Sequence, residues 1–254
     1  MKSEGEVKIN ISDGIAEITF GHPKSNALPS NILRALKDCI TSAGENDEIK
    51  VILLKSFGDR TFCAGASFDE LVAIDNFEVG KEFFMGFARV INAMRKCPKV
   101  IVGCVQGKAV GGGVGIASAC DYTLATKFAS VKLSELAVGI GPFVVGPAVA
   151  RKIGMSSMSQ LAINATEWKT ANWAREKGLY AEIYESMDDM MSAANKLAST
   201  LSKSNPEALE GIKKISWVGA ESWDDLLEKR AEVSGKLVLS DFTRNAIKSF
   251  KKTT

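Results

Sequence analysis

The chain opens with two stretches in which apolar and polar positions alternate: Val7, Ile9 and Ile11, then Ala16, Ile18 and Phe20, parted by Ser12-Asp13-Gly14. A period of two on either side of a turn tripeptide predicts a β-hairpin. The period then lengthens. Ile32, Leu33, Leu36, Ile40 and Ala43 share one helical stripe, with Ser30 as the expected N-cap. Val51-Ile-Leu-Leu54 is an unbroken apolar run suited to a strand buried on both faces. A second helix is predicted through Phe83, Phe84, Phe87, Ile91 and Met94, and a second buried strand over Val100–Val105. Helices alternating with apolar strands argue for α/β layers. From about residue 142 the pattern turns mostly helical, with a regular stripe of Met187, Met190, Met191, Ala194, Leu197, Ala198 and Leu201. Pro206 is expected to open a further helix, and Ser222-Trp-Asp-Asp to head another, its acids placed where the helix dipole favours them. The methionine and aromatic stripes are assigned to core or subunit contacts.

No linker, repeat or low-complexity tract interrupts this pattern. The expectation is an α/β core over residues 1–200, followed by a helical region over residues 201–254. The chain has 254 residues, 46% hydrophobic and 24% charged, which excludes disorder and supports a substantial core. Its net charge of +2 provides no field for nucleic acid or an anionic membrane surface, so any polyanion it binds must be small. The single histidine, His22, removes multi-histidine zinc sites and leaves one imidazole for any triad, which directs proton chemistry toward carboxylates. Five cysteines with no C-x-x-C pair fit a reducing compartment. The polar, acidic start Met1-Lys-Ser-Glu-Gly-Glu, and the absence of any apolar run long enough to span a bilayer, lead us to expect a cytoplasmic protein.

Three segments stand apart from generic core. Arg60-Thr-Phe-Cys-Ala-Gly-Ala-Ser67 is rich in small residues after a strand, and small side chains let backbone N–H groups approach a ligand. Its plain alternative is a tight turn. Gln106–Gly115 carries three consecutive glycines between a buried strand and a short helix expected at Ile116–Ala119, a junction that offers free N–H groups to a negative oxygen. Leu133–Pro142 sets Glu135 among apolar residues, the only carboxylate between Asp121 and Glu167. Desolvation would raise its pKa toward neutrality, as a group that acts as base and then acid requires. A base beside a cluster of backbone donors suits removal of a proton next to a carbonyl. Rival motifs fit poorly: a dinucleotide fingerprint would need glycine where Ser118 stands, no phosphate-binding G-x-x-x-x-G-K-S/T run occurs, and Gly65-Ala-Ser67-Phe lacks the closing glycine of a hydrolase elbow.

Taken together, these segments resemble the crotonase superfamily of enoyl-CoA hydratases and isomerases. His22-Pro-Lys-Ser-Asn-Ala-Leu28 is similar to the family's early turn, Phe62-Cys-Ala-Gly-Ala66 to its first oxyanion-hole loop, and Gly111-Gly-Gly113 with Cys120-Asp-Tyr122 to its second. Gly178-Leu179 and Ser240–Phe250 fit its usual ending. The resemblance implies a spiral of ββα turns with a helical C-terminal region that covers the active site and mediates trimerisation, as homotrimers or hexamers. It also implies an acyl-CoA or acyl-carrier thioester as substrate, with no cofactor beyond the coenzyme A of the substrate, no metal, and no nucleic-acid or membrane partner. Carried over by position, the backbone N–H groups of Ala66 and Gly112 would form the oxyanion hole. Lys24, Arg60, Ala64 and the tail residue Lys251 would contact the CoA portion.

The departures from the family are equally informative. Hydratases of the family carry two catalytic glutamates. Here Glu135 stands at one position and Gly115 at the other. Hydration divides its work between two carboxylates, whereas moving a double bond from C3 to C2 needs one base that takes a proton from C2 and returns it to C4. The bulky run Gly139–Val145 agrees, because a dry wall excludes competing water. Ser67 replaces an aspartate common in the family, leaving Asp69 or Glu70 as candidate acids, and Leu71–Gly86 is expected to line the acyl end. The leading expectation is therefore a 3-enoyl-CoA to 2-enoyl-CoA isomerase. The alternatives are a hydratase or other crotonase-type lyase or decarboxylase, or a non-catalytic subunit that binds acyl thioesters.

Overall fold

The computed structural model describes residues 4–253, with side chains described through residue 249. The hairpin forms as expected, from β1 (Glu6–Ser12) and β2 (Ile15–Gly21), and Asp13 and Gly14 take the left-handed φ values of 51° and 77° that a tight hairpin turn demands. Val7, Ile9 and Ile11 pair with Phe20, Ile18 and Ala16 on one face of the sheet. Ile9 and Ile11 are nevertheless 44% exposed, because β1 is the edge strand. Helix α1 (Ser30–Glu45) buries the expected stripe, but Pro29, not Ser30, is its N-cap. Ser30 is the first helical residue, and its backbone N–H and hydroxyl both donate to the Glu70 carboxylate, which supplies the negative charge that a helix N-terminus attracts.

Three repeated turns follow. In each, a long strand of the main sheet leads into a short strand of a second sheet and then into a helix. They run β3 (Val51–Ser56), β4 (Thr61–Cys63), α2 (Phe68–Ala73) and α3 (Phe77–Lys96); then β5 (Val100–Val105), β6 (Lys108–Val110) and α4 (Gly112–Ala119); then β7 (Tyr122–Thr126), β8 (Val131–Lys132) and a short 3-10 helix over Glu135–Val138. The strands β1-β2-β3-β5-β7, with β9 (Glu182–Tyr184) last, form a six-stranded sheet that is parallel except for the first hairpin. The strands β4-β6-β8 form a parallel three-stranded sheet. This is the ββα spiral that the resemblance implies. The short strands and β9 were not foreseen, since two or three residues show no period.

Alternation along the buried strands divides the core. Ile52, Leu54 and Ile101 face the interior cluster with α1 and α3, while Val51, Leu53, Val102 and Leu124 face Met190, Ala194 and Ala198 of α7 (Met187–Leu201). The methionine stripe is thus core, as expected. The remaining helices are α5 (Gly146–Ile163), α6 (Ala171–Glu176), α8 (Pro206–Ser216), α9 (Trp223–Leu237) and α10 (Asp241–Thr253). The expected division at residue 200 falls at the last turn of α7. Helix α9 lies along α3 at a close glycine crossing, where a β-carbon at Gly80 would be 3.2 Å from Gly235 Cα. Lys81 ties the same pair to Glu228 and Glu232 at 2.6 and 2.9 Å. No helix among the described residues is long and apolar enough to cross a membrane.

Candidate active site

The site begins with the turn His22–Leu28. Ser25 and Asn26 adopt positive φ (52° and 55°), and the buried Asn26 side chain holds the turn together, accepting from His22 N–H at 3.0 Å and donating to the carbonyls of Phe57 and Thr61 at 2.7 and 2.8 Å. This places Leu28 beside the loop after β4. Leu28 N–H donates to Gly65 C=O at 2.8 Å, and Ser67 N–H donates to Leu28 C=O at 3.1 Å. Groups on an extended chain alternate in direction, so the Ala66 N–H between them turns to the opposite side, into a cavity that Ala66 lines.

The second loop arrives from β6. Gly111 precedes α4 with φ 51° and ψ −114°, a conformation reserved for glycine, and its N–H donates to Lys132 C=O on β8 at 2.9 Å. Gly112 is the first residue of α4, so its N–H has no helical acceptor. Among the described residues neither the Ala66 nor the Gly112 amide donates to a partner. A β-carbon at Gly65 would sit 3.8 Å from Gly112 N, so the two loops lie side by side. At Gly113 a β-carbon would be 2.5 Å from Cys63 C=O, a clash that explains why the head of α4 must be glycine. The helix therefore starts four residues earlier than expected.

The third segment closes the site. The tie from Gly111 to Lys132 brings the 3-10 helix alongside, and a β-carbon at Gly111 would lie 2.9 Å from Glu135 Oε1. Glu135 as a whole is half-buried, yet its Oε2 is sealed from solvent and has no hydrogen-bond partner. Burial pushes its pKa from the usual carboxylate value up to about 7, a shift opposed only by a hydrogen bond from its own backbone. The cavity in front of it has a volume of about 380 Å³, within the range of small-molecule sites. Phe83, Phe84, Phe87, Leu71, Ile140 and Phe143 supply its apolar wall.

The structure gathers most of the sequence-derived residues here. Glu135, Ala66, Gly112, Ala64 and Lys24 all line the cavity. Arg60 does not; it is exposed in the turn before β4. Lys251 lies in the last turn of α10, where side chains fall outside the described residues. Of the candidate second acids, Glu70 is held by Ser30 and does not line the cavity, whereas Asp69 pairs with Lys24 at the exposed mouth. Ser67, in the place of the family's aspartate, caps α2 by accepting from Glu70 N–H at 3.4 Å. Gly115 is packed beneath Val145 of the cavity wall.

Several lining residues escaped the sequence reading. His22, which stands first in the family-like turn, reaches the mouth, where its Nδ1 accepts from Lys24 N–H at 3.2 Å and burial and Lys24 hold its pKa below the usual value. Of the segment Leu71–Gly86, which was expected to line the acyl end, Leu71, Phe83 and Phe84 do line the cavity, so the aromatic stripe of α3 serves both core and cavity. Ser234 of α9 lines the cavity, and the buried Thr243 of α10 donates to Gly139 C=O at 3.1 Å, just after the 3-10 helix. The C-terminal helices therefore close this chain's own site.

The spiral α/β scaffold brings two unpaired amides and one desolvated carboxylate to the wall of a single apolar cavity. The sequence profile of the enoyl-CoA hydratase/isomerase family matches residues 10–251, and the chain belongs to that family, within the crotonase superfamily. It is similar to the short-chain-enoyl-CoA hydratase of Clostridium acetobutylicum (27% identity over 93% of this chain and 90% of that one). A similar relationship holds to the ethylmalonyl-CoA decarboxylase of Xenopus laevis (27% identity, 91% and 78%). The crystal structure of enoyl-CoA hydratase from Bacillus halodurans shares the fold, with a TM-score of 0.88, 23% identity, and coverage of 96% and 99%.

Proposed function

We propose that this enzyme moves the double bond of a 3-enoyl-CoA to the 2-position, with Glu135 as the single proton shuttle. The thioester oxygen accepts hydrogen bonds from Ala66 and Gly112 N–H. Glu135 takes the proton from C2, the C–H electron pair passes into a dienolate held by the two amides, and the same carboxyl returns the proton to C4. No external acid, oxidant or metal is required. One oxyanion-hole donor is worth roughly 2.7–4 kcal/mol of transition-state stabilisation. Lys24 at the mouth is suited to the negative charge of the CoA portion.

The observation that carries this reading is the orphaned Oε2 of Glu135, in a site where, among the described residues, the only other lining carboxylate, Asp69, is at the mouth. A buried carboxyl oxygen without a partner destabilises the fold and is tolerated where chemistry uses it. The same observation speaks against a non-catalytic binding subunit. Hydration is the second reading, favoured by the names of relatives such as the Clostridium protein. Offering 2-enoyl-CoA and 3-enoyl-CoA separately decides between them: the 3-enoyl thioester is expected to be consumed without accumulation of 3-hydroxyacyl-CoA. Glu135→Gln is expected to abolish conversion of 3-enoyl-CoA to 2-enoyl-CoA, and conversion at the wild-type rate would overturn the assignment.

A further inference from the structure

Gly115 lies within α4 on the side facing α5, fully buried. A β-carbon placed there would be 2.6 Å from Val145 Cγ1, 2.8 Å from Val145 Cβ and 3.5 Å from Ile91 Cδ1. The first two distances are below any real contact, so Val145 occupies the space that a side chain at 115 would need. Val145 is 4% exposed and lines the same cavity as Glu135. It is also firmly held: it is the N-cap of α5, its carbonyl accepts from Val149 N–H at 3.1 Å, and the next residue, Gly146, donates to Pro142 C=O at 2.7 Å.

We infer that Val145 determines the reaction, by filling the volume above Gly115 and so denying both a second carboxylate and a water molecule a place opposite Glu135. The inference rests on the isomerase reading and deepens it. Hydration of a 2-enoyl thioester adds the hydroxyl of water to C3 and a proton to C2, so a water must be held by polar groups beside the double bond. A water needs two or more polar partners to stay in a buried site. Val145 and Ile91 provide none. With that position dry, the proton on Glu135 has no adjacent solvent with which to exchange before it is returned to C4.

Retention of the original proton measures this. In D₂O, 3-enoyl-CoA carrying ¹H at C2 is converted, and the fraction of product with ¹H at C4 is read by mass spectrometry or NMR. Val145→Ser opens the space and adds a hydrogen-bonding group; Val145→Thr keeps the shape and adds only the group, so it folds if the smaller residue does not. Either folded variant is expected to lower the ratio of retained to exchanged proton by about tenfold, the scale of one altered contact in a specific pocket. Gly115→Glu is expected to fold only in combination with Val145→Ala, and the pair should raise hydration of 2-enoyl-CoA by about a hundredfold over Val145→Ala alone. Unchanged proton retention in the folded Ser and Thr variants overturns the role of Val145 while leaving the isomerase reading intact. A folded wild-type enzyme that converts no 3-enoyl-CoA to 2-enoyl-CoA overturns the isomerase reading and this inference with it.

Discussion

Helix α4 has an acidic residue near each end, and the two are treated oppositely. Beyond its C-terminus, Asp121 is fully engaged: Oδ2 accepts from Ile101 N–H at 2.8 Å and pairs with the buried Lys213 at 2.9 Å, while Oδ1 accepts from Trp217 Nε1 at 3.1 Å. Beside its N-terminus, Glu135 has an oxygen with no partner and a pKa pushed up to about 7. Both carboxyls are largely removed from water, so burial alone does not mark a catalytic acid. The difference lies in satisfaction. Asp121 joins β5 to α8 through three donors and is fixed; Glu135 is left able to gain and lose a proton beside the groups that would receive the resulting enolate.

The largest effect that would break this contrast is on rate. Glu135→Gln should lower isomerisation by about 10³- to 10⁴-fold with the fold intact, as loss of a sole general base requires; circular dichroism and turnover of 3-enoyl-CoA check both halves. Asp121→Ala should act on stability instead. It leaves the Lys213 ammonium buried and unpaired, a loss of about 3–5 kcal/mol in urea denaturation. If the activity of the residual folded Asp121→Ala enzyme fell as far as that of Glu135→Gln, the division between structural and catalytic carboxyls would be wrong.

The pH dependence sharpens the contrast further. Folding raises the Glu135 pKa from 4.5 to about 7, so the folded chain binds this proton more tightly than the unfolded chain does. Its contribution is harmless below about pH 4.5 and costs stability as pH rises toward 7. Glu135→Gln should therefore be about 2–3 kcal/mol more stable than wild type at pH 8 and equal to it near pH 4, measured by denaturant midpoints. Catalysis runs the other way, because the base must be ionised: kcat/KM should climb with pH through about 7 and level off above it. The smallest effect is expected at the cover. Thr243→Val removes the hydroxyl that donates to Gly139 C=O and should cost about 1 kcal/mol.

Much of the scaffold is legible in the order of residues. The hairpin, α1, the two long apolar strands and α7 each bury a stripe or an alternating face long enough for its period to show. The strands β4, β6 and β8, three residues or fewer, carry no such signal, yet they position the loops that carry Ala66 and Gly112. Ala66 and Gly112 offer main-chain groups to the cavity, so side-chain chemistry could not single them out, and only the resemblance pointed to them. That the His22 imidazole reaches the cavity mouth depends on where the loop after β4 places the His22–Leu28 turn. Arg60 was carried over by position from the family, and the turn before β4 leaves it exposed, away from the cavity lining.

The chain's composition and pattern are enough to establish an α/β protein with one carboxylate, Glu135, set among apolar residues and no acid at position 115, because residue identity and local periodicity are properties of the string. Adjacency is not such a property. That Glu135 loses its solvent, that two unpaired amides converge beside it, and that Val145 occupies the space above Gly115 all follow from contacts between segments distant in the chain, which only the packing of the spiral brings together.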